Sequence, residues 1–135
     1  MEQNEKLYKP ISNDVDKVAN SIVDAAYAVH KILGPGLLES VYEVCLIYEL
    51  RERGYLVESQ VALPIQYKKI RLDTGLKLDL LVDNCIIIEL KTVDEILPIH
   101  QAQLISYLKL SERRVGFVIN FKTQLIKDGI RRFAN

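Results

Sequence analysis

The chain has 135 residues, 49% of them hydrophobic, which suits one globular domain whose core needs no disulfide staples. Eighteen basic residues cancel eighteen acidic ones, so loose, charge-driven binding to nucleic acid is excluded while binding through a local basic patch is not. Cys45 and Cys85 lack CxxC spacing and are too few for a tetrahedral zinc site, and no window approaches the ~18 apolar residues of a membrane span; buried thiols in a cytoplasmic protein are expected.

Residues 1–12 read as a flexible leader, and residues 13–135 as a single domain. From Asn13, a candidate N-cap, Val15, Val18, Ala19, Ile22, Val29 and Leu33 recur at helical spacing until Gly34-Pro35-Gly36 breaks the pattern. A second helix is predicted from about Leu38 to Arg53, ending at Gly54. Residues 55–72 alternate β-branched and aromatic side chains, interrupted by Pro64 and Tyr67-Lys68-Lys69, which predicts one or two strands. Strands at Lys77–Val82 and Ile86–Lys91 follow, with Leu78, Leu80, Val82, Ile86, Ile88 and Leu90 on one face and Leu81 and Ile87 on the other. Pro98 is placed to open a third helix through Leu110, and Val115–Asn120 is a short apolar strand. The tail from Thr123 fits either an edge strand or a short amphipathic helix. This order predicts an α/β sandwich, a mixed sheet covered on both faces.

Three charges sit inside the aliphatic strands: Asp79, Glu89 and Lys91. Strand alternation puts Glu89 and Lys91 on one face. A two-residue turn at Asp83-Asn84 would leave Asp79 on the opposite face, whereas a three-residue connection, Asp83-Asn84-Cys85, sets it directly across from Glu89. Opposed carboxylates about 5 Å apart at Cβ need a cation, either a divalent metal or Lys91. An oxygen-only donor pair suits Mg²⁺ or Mn²⁺ better than zinc, and a metal with a neighbouring lysine has the parts for phosphodiester hydrolysis. Taken alone, the pattern reads as a salt-bridge cluster on an exposed sheet face rather than a metal site.

Two helices add context. Glu39, Tyr42 and Glu43 share one helical face after the Gly-Pro-Gly break; Glu39 is either a helix-start acid or a further metal ligand. His100, Gln103 and Tyr107 form a polar stripe on the third helix, ordinary as an exposed face, yet able to bind phosphate or orient the lysine. His30 is accounted for by the C-terminal dipole of the first helix.

Gly36-Leu37-Leu38-Glu39-Ser40-Val41-Tyr42-Glu43, with Leu78-Asp79-Leu80, Ile88-Glu89-Leu90-Lys91, His100-Gln101-Ala102-Gln103 and Val118-Ile119-Asn120-Phe121, resembles the GxxExxY family within the PD-(D/E)XK nuclease superfamily. The resemblance covers most of the chain from about Asp14. It implies a restriction-endonuclease-like core, αβββαβ, with about four strands in a mixed sheet flanked by helices. It implies that Asp79, Glu89, the Leu90 carbonyl and Glu39 hold Mg²⁺ or Mn²⁺, that Lys91 assists water attack, and that Gln103 and Tyr107 match a Gln-x-x-x-Tyr element. Leu78 stands where a proline commonly precedes the motif aspartate, a position that varies in the superfamily. The expected function is a metal-dependent nuclease acting on DNA, with a targeting partner protein as a further expectation. The alternatives are a noncatalytic nucleic-acid-binding or protein-interaction module on the same scaffold, and a hydrolase of another phosphorylated substrate. Lys68, Lys69, Arg71, Arg113, Arg114, Arg131 and Arg132 are candidate phosphate contacts if the fold gathers them near the site, each such cluster being more often a solvated turn or strand end.

Overall fold

Ser12, rather than Asn13, caps the first helix: its hydroxyl accepts the Val15 amide at 3.3 Å, and Asn13 is already helical. The computed structural model describes residues 11–73 and 75–135, so the leader expected over 1–12 lies outside it except at Ile11, which packs against the core, and Ser12. Helix α1 (Asn13–Leu33) stops at Gly34, whose amide still donates to the His30 carbonyl and whose φ of 68° turns the following chain out of the helix. Helix α2 (Glu39–Glu52) packs Tyr42, Leu46 and Leu50 into the core, and buried Ala19, Ala25 and Ala26 leave α1 slim enough to lie close.

The main sheet has five strands, in the order β1 (Val57–Ala62), β4 (Lys77–Val82), β5 (Ile86–Lys91), β6 (Val115–Asn120) and β7 (Ile130–Ala134). A separate two-stranded ribbon, β2 (Ile65–Tyr67) with β3 (Ile70–Leu72), interrupts the passage from β1 to β4, so residues 55–72 yield three strands where one or two were expected. The β5–β6 pair is parallel because helix α3 (Pro98–Ser111) supplies the crossover; the other pairs are antiparallel. The fifth strand comes from the tail: Ile119 pairs with Ile130 and Gly116 with Phe133, and this edge resolves strand against helix. Helices α1 and α2 cover one face and α3 the other, which explains why Ile86–Leu90 is buried at every position. Both cysteines are free and half-buried, against the expectation of full burial. No helix among the described residues is long and apolar enough to cross a membrane.

One side-chain assignment is corrected. Leu80 and Val82 face α1 and α2 as expected, but Leu78 packs with Leu81, Ile87 and Leu104 on the α3 side. The partner strand shows the same switch: Val57 belongs to the first cluster and Val61 packs on the second. Residues an even number apart share a face in a regular strand, so both strands must turn over in between. The turnover falls at Gln60, whose φ is +52°, opposite Asp79, at the one step missing between the Ser59–Leu80 and Val61–Leu78 pairs.

The turn after β6 is equally constrained. A Cβ on Gly129 would overlap the Asn120 carbonyl oxygen, main chain that cannot swing aside, whereas one on Gly116 would meet the movable end of the Leu104 side chain at 2.8 Å and the Ile87 carbonyl oxygen only at 3.2 Å. Gly129→Ala is therefore expected to cost about 1–3 kcal/mol in urea unfolding and Gly116→Ala clearly less; equal losses would contradict this packing.

Candidate active site

The β4–β5 connection is the three-residue one. Asp83 and Asn84 both take left-handed backbone, with φ of 48° and 54°, which these two residue types tolerate better than most. Val82 then pairs with Ile86 and Leu80 with Ile88, which places Asp79 opposite Glu89. There the ladder opens. The Asp79 amide donates to Glu89 Oε2 at 3.0 Å, and the Leu90 amide donates to Asp79 Oδ2 at 2.8 Å. Each acid thus binds an amide on the opposing strand. The Leu90 carbonyl points to the same side of β5 as its amide, toward Asp79, since the two groups of an extended residue share a lateral direction.

Glu89 is only 5% exposed. Burial, reinforced by the Asp79 charge, pushes its pKa up to about 8, against the pull of the Asp79 amide and Lys91. Asp79 is raised as well, first by desolvation, with the Leu90 amide, Lys91 and the Gln60 amide group opposing. Lys91, half-buried, follows on the Glu89 face.

Helix α2 closes one side. Glu39 stands exposed at the rim; desolvation and Asp79 raise its pKa, while Lys91 and a hydrogen bond from the Thr92 amide oppose. Glu43, one turn on, is raised by desolvation and Asp79 and accepts the Gln60 Nε2 group at 3.1 Å. Tyr42 does not join them. It turns fully into the core, donates its hydroxyl to the Gly34 carbonyl, accepts the Leu37 amide at 3.1 Å, and stacks on Phe121 with centroids 4.6 Å apart. Its phenol therefore pins the loop that delivers Glu39. Phe121 is held in turn, its amide donating to the Lys91 carbonyl at 3.0 Å. Next to it the buried Asn120 side chain accepts the Val93 amide at 3.1 Å and donates to the Val93 carbonyl at 2.8 Å, fixing the chain just beyond Lys91.

Helix α3 closes the other side. Tyr107 is buried, and its phenol pKa is raised by desolvation and by the Glu89 charge; exposed Gln103 donates to its hydroxyl at 3.0 Å. His100 is spent on the helix start, its Nδ1 accepting the Leu97 amide at 3.0 Å. Asp79, Glu89, Lys91, Glu39, Gln103 and Tyr107 are thus brought around one opening. Among the described residues no three His, Cys, Asp or Glu side chains already converge as a metal cage.

A family model of the PD-(D/E)XK nuclease superfamily matches residues 16–133. The chain belongs to that superfamily. The mixed sheet flanked by helices is accordingly the restriction-endonuclease-like PD-(D/E)XK fold, widened from about four strands to five by β7. No curated relative and no solved structure matches it.

For a PD-(D/E)XK domain, the basic residues are scattered. Arg113 lies at the far end of the sheet, bonded through its guanidinium to the Asn84 carbonyl and side chain, and Arg114 beside it binds the Asn135 carbonyl at 2.8 Å. Arg132 pairs with Asp16 at 2.6 Å on the α1 side. The fold gathers none of these three at the opening. Arg131, paired with Val118, faces the α3 side in the row of Glu89, two strands and about 10 Å away by strand spacing. Lys68 and Lys69 tip the β2–β3 ribbon. His30 serves tertiary structure rather than a helix dipole alone, its Nε2 lying 2.9 Å from the Thr123 carbonyl. Sequence reasoning missed Gln60, Asn120 and the role of Glu43. Gln60 and Asn120 are ordinary strand residues until the backbone is known, and only the i+4 spacing from Glu39 marked Glu43.

Tyr42→Phe is expected to lower stability by about 1–2 kcal/mol, because it orphans the Gly34 carbonyl and the Leu37 amide; an unchanged denaturation midpoint would remove the pin. The raised Glu89 pKa means that the folded, metal-free chain holds a proton the unfolded chain has released. Its contribution is complete below the ordinary carboxylate range and is lost as pH rises through about 8. Thermal melting in EDTA should therefore lose on the order of a few kcal/mol across that window, and Glu89→Gln should flatten the profile.

Proposed function

We propose that this PD-(D/E)XK domain is a divalent-metal-dependent nuclease that hydrolyses phosphodiester bonds, with DNA as its substrate. The observation that carries the reading is the opened ladder, where Asp79 and Glu89 each anchor one oxygen on a main-chain amide and keep a second oxygen for a ligand, with Lys91 alongside. The donor set fits a hard cation: two carboxylates and the Leu90 carbonyl are all oxygen, and the crowding that makes Glu89 hold a proton is what a cation would relieve. Asp79, Glu89 and the Leu90 carbonyl would hold Mg²⁺ or Mn²⁺, with Glu39 beside them. Such an ion supplies a lowered water pKa and neutralises charge at the phosphate.

The chain's own groups do the remaining work. Lys91, its carbonyl held by the Phe121 amide and the chain just beyond it clamped by Asn120 at Val93, orients the attacking water and offsets charge on the phosphoryl oxygens. Tyr107, held by Gln103, presents its hydroxyl to a phosphate oxygen or to Lys91. Gly36, with a φ of 100° that suits glycine, and Glu39 and Tyr42 placed by the α2 start support the finer placement in the GxxExxY group. The free thiols fit a cytoplasmic location.

Purified chain incubated with single-stranded, duplex and nicked DNA and with RNA is expected to cleave in Mg²⁺ or Mn²⁺ and not in EDTA. Lys91→Ala and Asp79→Asn should each lose about 10²-fold or more. Cleavage unaffected by either change sinks the assignment. No Mn²⁺ binding by calorimetry at millimolar metal, with the fold intact, favours a noncatalytic module instead.

A further inference from the structure

Outside the site, the β2–β3 ribbon carries apolar exposure that the fold does not explain. It pairs with no strand of the main sheet, and Tyr67, Ile70 and Leu72 are 58%, 53% and 36% exposed. A two-stranded ribbon is marginally stable by itself, so leaving apolar side chains uncovered on one is costly unless the surface is used. Its base is firm: the Leu63 amide donates to the Leu76 carbonyl at 2.9 Å, and Leu63 is buried in the α3-side core.

Direction and charge identify the use. The ribbon leaves the sheet just beyond the Ala62–Lys77 pair, two residues from Asp79, and so projects from the end that carries the site. Residues 63–77 hold four cations, Lys68, Lys69, Arg71 and Lys77, against one acid, Asp73, while the chain as a whole is neutral, so the remainder is net acidic. The opening itself sets Glu39, Glu43 and Asp79 against the single cation Lys91, so most of the attraction for a phosphate backbone has to come from elsewhere. A two-stranded ribbon is also of a width that the major groove of a duplex admits. Single-strand binders stack bases on open aromatic faces; here Lys68 Nζ lies 5.6 Å over the Tyr67 ring, which favours phosphate contact to a duplex.

We infer that β2–β3 is an arm that grips the backbone of double-stranded nucleic acid on one side of the scissile bond, an inference resting on the nuclease reading. At about 3.3 Å per residue the tip reaches up to about 25 Å from Asp79. At 3.4 Å per base pair, this corresponds to roughly seven base pairs from the point of cleavage.

The test is fluorescence anisotropy of the full chain on a labelled duplex, in EDTA so that nothing is cut, across about 50–200 mM salt. Lys68→Asn with Lys69→Gln removes both tip charges; asparagine suits position 68 because its φ is +52°. Losing two phosphate contacts should reduce the slope of log K against log salt by about 1.8 and weaken binding roughly 30-fold near 0.15 M, with an unchanged melting temperature. Equal slopes and affinities for wild type and variant overturn the arm and leave the nuclease reading standing. A loss confined to single-stranded probes of the same sequence overturns the duplex assignment. Wild-type protein that binds no nucleic acid overturns the substrate reading and the arm with it.

Discussion

Two acids facing each other across adjacent strands destabilise the pair unless their charge or their hydrogen bonding is satisfied. In this chain the conflict is resolved by giving the ladder up: at Asp79 and Glu89 each carboxylate captures an amide on the opposing strand. Everything else at the opening depends on that substitution. It satisfies buried Glu89 and half-buried Asp79 where the strands stop pairing, on the side of β5 to which the Leu90 carbonyl also points. The exchange depends in turn on register, which the consecutive left-handed residues Asp83 and Asn84 fix at the other end of the hairpin. A slip of one residue would send Glu89 into the opposite layer.

The rest of the structure holds this opening in place. Tyr42 fastens the Gly34–Leu37 loop and stacks on Phe121, Phe121 bonds the Lys91 carbonyl, and Asn120 grips Val93. One connected set of buried contacts thus ties the start of α2, the end of β5 and the end of β6. Glu39 and Lys91 come from segments 52 residues apart in sequence, yet both are set by groups that touch Phe121 or its neighbours. At the far end, Arg113 binding Asn84 ties the start of β6 to the β4–β5 turn.

Much of this could be read from residue order, and the misses share a physical cause. Helix α1 carries a strong helical periodicity, α2 and α3 are marked by their end signals at Gly54 and Pro98, and β5 and β6 are short apolar runs; the parity argument reduced the hairpin to two registers of which the folded chain uses one. Leu78 was misplaced because Leu78, Leu80 and Val82 alternate perfectly; the turnover at Gln60 is a backbone event with no side-chain signature. Ile130-Arg131-Arg132-Phe133 is too short to separate strand from helix, and only the β6 edge decides it. Arg113, Arg114 and Arg132 were unreadable as structural residues because their partners, Asn84, Asn135 and Asp16, lie 21 to 116 residues away.

The amide exchange also makes the main chain an instrument. The N–H groups of Asp79 and Leu90 end on carboxylate oxygens instead of peptide carbonyls. Their nuclear resonances must therefore move when either acid gains a proton or engages a cation, while the neighbouring Leu80 and Ile88, still inside the ladder, serve as an internal reference. Occupancy of this centre can be followed spectroscopically from two backbone positions, without any substrate and before any bond is cut.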